Sequence, residues 1–429
     1  MLDKYFALTT NRTNVRTECL AGFTTFLTMS AILFVNPDIL KAAGIDHGAA
    51  FVATCLAAAI GSLLMGLVAN YPIGQAPGMG INAFFTFGLV KGIGLSWEVA
   101  LGAVFLSGVM FVLFSLFKVR EWFVNAIPAG LKLSISAGVG LFVALVALHQ
   151  AGIVTANADT LVSIGNIKSP QALLAMAGFL LMVALDKRGV PGAILIGILA
   201  VTGVSIAMGV TPYGGITSSP PSLAPTFLHA DIKGALNGAV LGVVLSFFLM
   251  SLFETSGTLI AIASRGGFLD DNGKLPRLKR ALLADSLAIS AGALLGTSST
   301  TSYIESTTGI AAGGRTGLTA VVIALLFLGS LFFAPLAAMI PPHATAPALL
   351  FVAILMLKSL ADLDWQDLTE SAPAVVCVTV MAFTFSISDG IAFGTITYVF
   401  LKLLSGQHRS LNVPIVVVAA LFLGRYLFL

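Results

Sequence analysis

The chain has 429 residues, of which 57% are hydrophobic and 10% charged, with a formal net charge of +3; soluble domains carry roughly 25% charged residues. That balance excludes a water-soluble globule, and the net charge carries no message until each charge is assigned to a side of a membrane. Neither a cofactor nor a nucleic-acid partner is expected.

The opening stretch, MLDKYFALTTNRTNVRTECLAGF, has no basic run leading into a short apolar core and a small-residue cleavage site, so no removable signal peptide is expected. Apolar runs long enough to cross ~30 Å of hydrocarbon as helix then recur along the whole chain. They fall at 17–36, 48–69, 76–90, 97–117, 128–148, 172–186, 190–208, 235–263, 281–296, 302–313, 317–339, 345–358, 372–388 and 391–404. A further apolar stretch, 413–429, carries Arg425 in its last turns, and its crossing is left open. The fold class is therefore an all-α polytopic membrane protein of about fourteen transmembrane segments.

A wrong span count would scramble basic residues between alternate loops. With the N-terminus inside, only Lys41, Lys91, Lys168 and Lys233 of the 22 Lys and Arg fall outside; all the rest but Arg425 fall inside. A cytoplasmic N-terminus in the plasma (inner) membrane is the expectation. Seven spans per half is an odd number, so if the halves are repeats the second is inverted. SLFKVREWFVNAIPAG (115–130) and GSLFFAPLAAMIPPH (329–343), at corresponding span junctions, are a weak trace of such a repeat.

The third and tenth spans break the pattern. The third opens GQAPGMGINAFFTFG (74–88), where Gly74, Pro77, Gly78 and Gly80 disfavour continuous helix. The tenth opens TSSTTSYIESTTG (297–309), rich in Ser and Thr. Non-helical backbone at membrane depth survives only when buried in protein or lining a wet cavity. Paired interrupted segments at matching places in two halves point to a transporter's central site. Asn82 lies in the first and Glu305 in the second.

The eighth span, GAVLGVVLSFFLMSLFETSGTLIAIA (238–263), has a single charge, Glu254. A carboxylate at mid-span costs about 2.5–3.5 kcal/mol on insertion scales. Alone, it also reads as a protonated acid hydrogen-bonded to a neighbouring helix. Together with Glu305 and the broken spans, it favours a substrate that donates N–H groups, or a cation, over an anion. A carboxylate accepts two near-parallel N–H bonds, an arrangement that a planar heterocycle with adjacent donors supplies. Gly257 and Thr258 leave space beside Glu254, and Phe84, Phe85 and Phe87 offer aromatic faces near Asn82. None of the five histidines falls at mid-span, so a carried proton would travel on a carboxylate. A Na⁺ site among the Ser and Thr oxygens of the tenth span is the alternative. Cys19, Cys55 and Cys377 are far apart and read as small core residues. No HExxH, P-loop or His/Cys catalytic constellation appears in the spans, which argues against an enzyme. A channel would favour a continuous polar stripe over two isolated acids.

At AGFTTFLTMSAILFVNP (21–37), APGMGINAFF (76–85), LFETSGTL (252–259), RALLADS (280–286), GTSSTTSYIESTTG (296–309), GGRTGLTA (313–320) and WQDLTESAPA (365–374), the chain resembles the AzgA-like purine permeases of the nucleobase–cation symporter-2 family. The resemblance runs from about residue 12 to the C-terminus. It implies a seven-plus-seven inverted repeat with a core domain at 17–117 and 235–339 and a gate domain at 128–208 and 345–404, with 413–429 as an added hydrophobic segment. It also implies a homodimer, elevator-like motion, and uptake of a purine nucleobase by proton symport. Anion transport on the same fold, or Na⁺-coupled uptake, is the alternative. Asn82, Glu254 and Glu305 carry over as functional residues, the two acids as proton-coupling groups. Thr28, Met29, Ala83, Thr258 and the run from Thr300 to Ile304, with Thr301 and Ser302, are expected to line the cavity. One departure is that close relatives often have Asp where this chain has Glu254. Asp285 and Arg315 are expected to form a structural ion pair.

Overall fold

The structure is a computed structural model describing residues 2–116, 128–157, 160–270, 275–384 and 386–428. After a short helix α1 (Leu2–Phe6), the first span is α2 (Val15–Met29) and α3 (Ile32–Ala42), interrupted near Ser30. The second is α4 (His47–Leu64), which widens into a π-helical stretch to Ala69 and stops at Asn70, whose φ of 52° is left-handed. Then come strand β1 (Gln75–Pro77), helix α5 (Met79–Ala83), its π-helical continuation Phe84–Ile93, and α6 (Trp97–Leu116).

The middle of the chain holds α7 (Ala129–Gln150), a hairpin of β2 (Val154–Asn157) and β3 (Leu161–Ile164), α8 (Pro170–Lys187) and α9 (Ala193–Ala207). A short α10 (Ile232–Ala235) leads to α11 (Gly238–Gly266) and α12 (Leu278–Leu295). Strand β4 (Thr300–Ser302) and α13 (Ser306–Ala311) follow, then α14 (Gly317–Ser330), α15 (Ala334–Met339), α16 (Pro342–Leu357), α17 (Leu368–Phe383), α18 (Ile387–Leu404) and α19 (Val413–Phe428). Among the described residues, seven helical stretches are long and apolar enough to cross a membrane alone; Met79–Ile93, Ala193–Ala207, Val240–Leu252, Leu368–Phe383 and Val413–Gly424 are shorter apolar helices. The third and tenth expected spans are both a short strand followed by a half-helix. The junction 115–130, half of the expected repeat trace, lies mostly outside the described residues.

Helix α12 packs on α4 and α6, α14 on α2 and α4, and α11 on α6; separately, α16 and α17 pack on α7, α8 on α9 and α16, and α17 on α18. The C-terminal helix α19 runs along α18, where Tyr426 donates to Asp389 at 2.5 Å. Close approach depends on glycine at one junction in particular: a Cβ on Gly317 would sit 2.0 Å from the Gly66 carbonyl, so the end of the second span and the start of α14 touch backbone to backbone.

A buried acid secures that junction. Glu18 on α2 is fully buried and accepts from the amides of Arg315 (2.9 Å), Thr316 (3.2 Å) and Thr319 (3.3 Å) and from the Thr319 hydroxyl (2.6 Å). Asn70 Oδ1 accepts from Gly317 N at 2.7 Å. These acceptors serve amides leading into and starting α14, where helices lack partners of their own, although Thr319 N also reaches the Thr316 carbonyl at 3.3 Å. The expected Asp285–Arg315 ion pair does not form. Arg315 Nη1 instead donates to the carbonyls of Ile310 and Gly314, both at 2.8 Å, while Asp285 serves the strands described below. Cys55 and Cys377 are buried as expected, but Cys19 is exposed. It lies one residue past Glu18, off the face of α2 formed by Glu18, Ala21, Gly22 and Thr25.

Glu18→Ala leaves the amides of Arg315 and Thr316 without their acceptor and weakens the hold on Thr319, whose hydroxyl and amide keep only the Glu18 and Thr316 carbonyls at 3.3 Å, and it is expected to lower stability by about 1–3 kcal/mol. Thermal denaturation in detergent checks this, and an unchanged melting temperature would remove Glu18 from the account.

Candidate functional site

The site is built where the two broken spans meet. Strands β1 and β4 pair antiparallel, Gln75 with Ser302, Ala76 with Thr301 and Pro77 with Thr300. The pairing extends at both ends, Gly78 N donating to Ser299 O at 2.9 Å and Tyr303 N to Gly74 O at 3.0 Å. Extended chain in hydrocarbon must find partners for every N–H and C=O, and here each strand is the partner of the other. Side chains complete the accounting. Ser62 on α4 both accepts from Gln75 N (2.9 Å) and donates to Gln75 O (3.2 Å), Ser306 Oγ accepts from Gly74 N (3.0 Å), and Tyr303 OH donates to Pro77 O (2.6 Å).

Asp285 fastens this crossing to two long helices. From α12, its Oδ1 accepts from Gln75 Nε2 (2.9 Å), Ser302 N (3.1 Å) and Ser302 Oγ (3.0 Å), and its Oδ2 accepts from Thr255 Oγ1 at 2.5 Å. One fully buried carboxylate thus binds β1, β4 and α11 together. Because Thr255 follows Glu254 directly, the same bond fixes the rotation of α11.

Glu254 then lies beside Gly78. A Cβ built on Gly78 would stand 3.4 and 3.5 Å from Glu254 Oε1 and Oε2 and 3.2 Å from Thr301 Oγ1. Among the described residues, none donates a hydrogen bond to the Glu254 carboxylate or pairs with it as an ion. Glu305 stands at the cap of α13, its carbonyl accepting from Thr308 Oγ1 at 2.7 Å. Several buried oxygens of the two broken spans and their approaches also have no partner: Gln75 Oε1, Asn82 Oδ1, Ser298 Oγ, Thr300 Oγ1 and Thr301 Oγ1. Buried polar atoms without partners are rare in folded proteins.

The expected site residues divide accordingly. Glu254, Glu305, Thr301 and Ser302 come together at the crossing, although Ser302 is fully used by Asp285. Thr258 is half-buried one turn past Glu254. Asn82 is buried behind the half-helix, where Nδ2 donates to Asn36 Oδ1, and Asn36 Nδ2 donates in turn to Thr54 (2.7 Å) and Thr297 (2.9 Å). Ala83 is buried. Thr28 Oγ1 meets Thr308 Oγ1 at 3.2 Å. Met29 is packed against Gly74, where a Cβ would stand 2.6 Å from its sulfur. Ile304 packs against the apolar cluster of Tyr71, Ile73 and Leu259. Phe84 and Phe85 are buried, Phe84 edge-on to Phe247 at 5.4 Å, so these rings are packing.

Sequence reasoning missed Asp285, Asn36 and Gly78 as members of the site. A charge inside the ninth span and an amide inside the first were signals of the kind already used for Glu254; Gly78 gave none. Two cavities lie elsewhere, an apolar one of about 140 Å³ between α7, α8 and α16 and one of about 300 Å³ beside Gly130, Asp362 and Glu370.

Residues 16–393 match the Permease family. The chain belongs to that family. It is a nucleobase–cation symporter-2 permease, a transporter and not an enzyme. Over 429 residues this permease is 47% identical to the adenine permease AdeP of Escherichia coli, covering 100% of this chain and 96% of that one. It is 44% identical to the guanine/hypoxanthine permease PbuG of Bacillus subtilis, covering 97% of each. Among solved structures, it superposes on the transmembrane domain of a cyanobacterial bicarbonate transporter, BicA, with a TM-score of 0.65 at 17% identity, over 89% of this chain and 97% of that one. The murine anion transporter Slc26a9 gives 0.66 at 12%, over 91% of this chain and 69% of that one. These two share the fold, the inverted repeat of seven plus seven spans.

Asp285→Ala strands buried donors on three elements and is expected to cost about 3–5 kcal/mol and to abolish transport; Asp285→Asn, which keeps an acceptor at one oxygen, should cost less. Melting temperatures of the two variants in detergent check the order.

Proposed function

We propose that this permease imports a purine nucleobase, adenine, guanine or hypoxanthine, by proton symport across the plasma membrane, with its N-terminus in the cytoplasm. The observation that carries the reading is the Glu254 carboxylate, held beside the strand crossing with no donor among the described residues. A planar ring with adjacent N–H groups supplies the two near-parallel bonds that a carboxylate accepts. The curated relatives named for adenine and for guanine and hypoxanthine, aligned over nearly the whole chain, support purines as the class. A carboxylate away from water favours its neutral form, which makes Glu254 and Glu305 the carriers of a coupled proton. Asn82 would act on the ligand through its unpaired Oδ1.

In this reading 17–117 with 235–339 form a substrate-carrying core, and 128–208 with 345–404 a gate against which it slides as an elevator, in a homodimer. The two sets of helix contacts, one joining α2, α4, α6, α11, α12 and α14 and the other joining α7–α9 with α16–α18, support this division. Na⁺-coupled uptake is the competing reading, favoured by the unpaired hydroxyls of Thr300 and Thr301, which are oxygen ligands. The exposed carboxylate edge argues against an anion as cargo, although the fold neighbours carry anions by name.

Glu254→Gln and Glu305→Gln are expected to lower uptake of labelled hypoxanthine or adenine by at least about tenfold while the protein still reaches the membrane, because an amide offers a single acceptor. Unchanged kinetics in either variant would return that acid to a structural role. Uptake should also collapse with a protonophore and persist when Na⁺ is replaced; a strict Na⁺ requirement would refute the proton assignment.

A further inference from the structure

Glycines at the strand crossing have different causes. At Gly74, Gly80 and Gly292 an added Cβ would collide with Met29 Sδ at 2.6 Å, Val139 Cγ1 at 2.3 Å and Thr300 Oγ1 at 2.6 Å, so packing demands the missing side chain. Gly78 is different. Its φ of −72° and ψ of 122° suit any residue. A Cβ there meets no backbone and nothing nearer than 3.2 Å, a contact that a small shift of the Thr301 side chain relieves. Neither conformation nor packing calls for glycine at this position. What the missing methyl leaves is a gap bordered by Thr301 Oγ1 and both oxygens of Glu254, and among the described residues all three oxygens lack a hydrogen-bond partner.

The gap matters because Glu254 is a glutamate. An aspartate on α11 would hold its carboxylate back toward its own helix by ~1.5 Å, one C–C bond, whereas the longer side chain brings both oxygens up to β1. Space at residue 78 is what lets the longer acid settle there and adjust when a ligand binds. A methyl at that place would touch both carboxylate oxygens at ordinary van der Waals distance, 3.4 and 3.5 Å, take up the free space and restrict the carboxylate's adjustment to a bound edge, without disturbing the strand ladder, since Gly78 N still reaches Ser299 O.

We propose that Gly78 is a positioning residue matched to Glu254: the missing side chain on the first half of the chain sets how far the carboxylate on the second half projects, and thereby which purine edge the site accepts. This rests on the purine reading above, and the two can fail separately.

The experiment compares wild type, Gly78→Ala, Glu254→Asp and the double variant in whole-cell uptake of labelled adenine and hypoxanthine, with melting temperatures of the purified proteins alongside. Gly78→Ala is expected to raise KM by roughly tenfold for the better substrate, with maximal rate within about twofold and melting temperature unchanged. Glu254→Asp should shift the preference between the two purines. In the Glu254→Asp background the added methyl should cost much less, because the shorter acid no longer reaches it. Equal KM values and unaltered preference in Gly78→Ala, or strictly additive effects in the double variant, would overturn the proposal. If the wild type takes up neither purine, the purine reading fails instead; the same four proteins are then compared on labelled guanine and uracil, where an unaltered KM in Gly78→Ala or strict additivity in the double variant again overturns the match.

Discussion

The structure depends on two three-residue strands, 75–77 and 300–302, paired in the middle of a helical membrane protein. A backbone N–H or C=O left bare in hydrocarbon costs several kcal/mol, so neither segment could be extended there without the other. Each then leads into a half-helix, and because the strands run antiparallel the two half-helices leave the crossing from its opposite ends. The supports recruited from surrounding helices, Ser62, Ser306, Tyr303 and Asp285, all serve this crossing. A chain of helices thereby acquires a fixed polar centre away from either aqueous face.

Buried acids in this protein do two kinds of work, separated by how fully their oxygens are occupied. Glu18 takes four donors and Asp285 takes four, and each joins elements that are distant in sequence. Such groups are costly to bury but are answered in full, which makes them structural. Glu254 is chemically the same group, one residue from Thr255 and therefore one step from the Asp285 network, yet no described neighbour answers it. Glu18 and Asp285 are fully buried and Glu254 half-buried, and their hydrogen-bond partners separate them further.

The two halves contribute unequally. Carboxylates at the crossing, Glu254, Asp285 and Glu305, all come from the second half. The first supplies neutral groups, the Asn36–Asn82 amide pair, Gln75 and Gly78. An inverted repeat provides the frame twice, and divergence between the copies places the acids in the second half and neutral groups in the first.

Much was legible in advance. The spans, the interruptions at 74–88 and 297–309 and the oddity of Glu254 follow from local rules, because hydrocarbon penalises each polar residue wherever it stands in the chain. Partner choice was not legible. Arg315 and Asp285 looked like a pair from their signs and span ends. The fold instead gave the amides of 315, 316 and 319 to Glu18, almost three hundred residues earlier, and Asp285 to the strands. Asn82 stood out as an amide in a broken span, but that its amide turns to Asn36 is a fact of packing. So the amino-acid sequence by itself determined that this is a polytopic membrane transporter with two broken spans and stranded acids, since those are per-residue solvation costs. Only the tertiary structure decided which acids are satisfied and which is left open, because a hydrogen bond depends on geometry between segments that chain order does not specify.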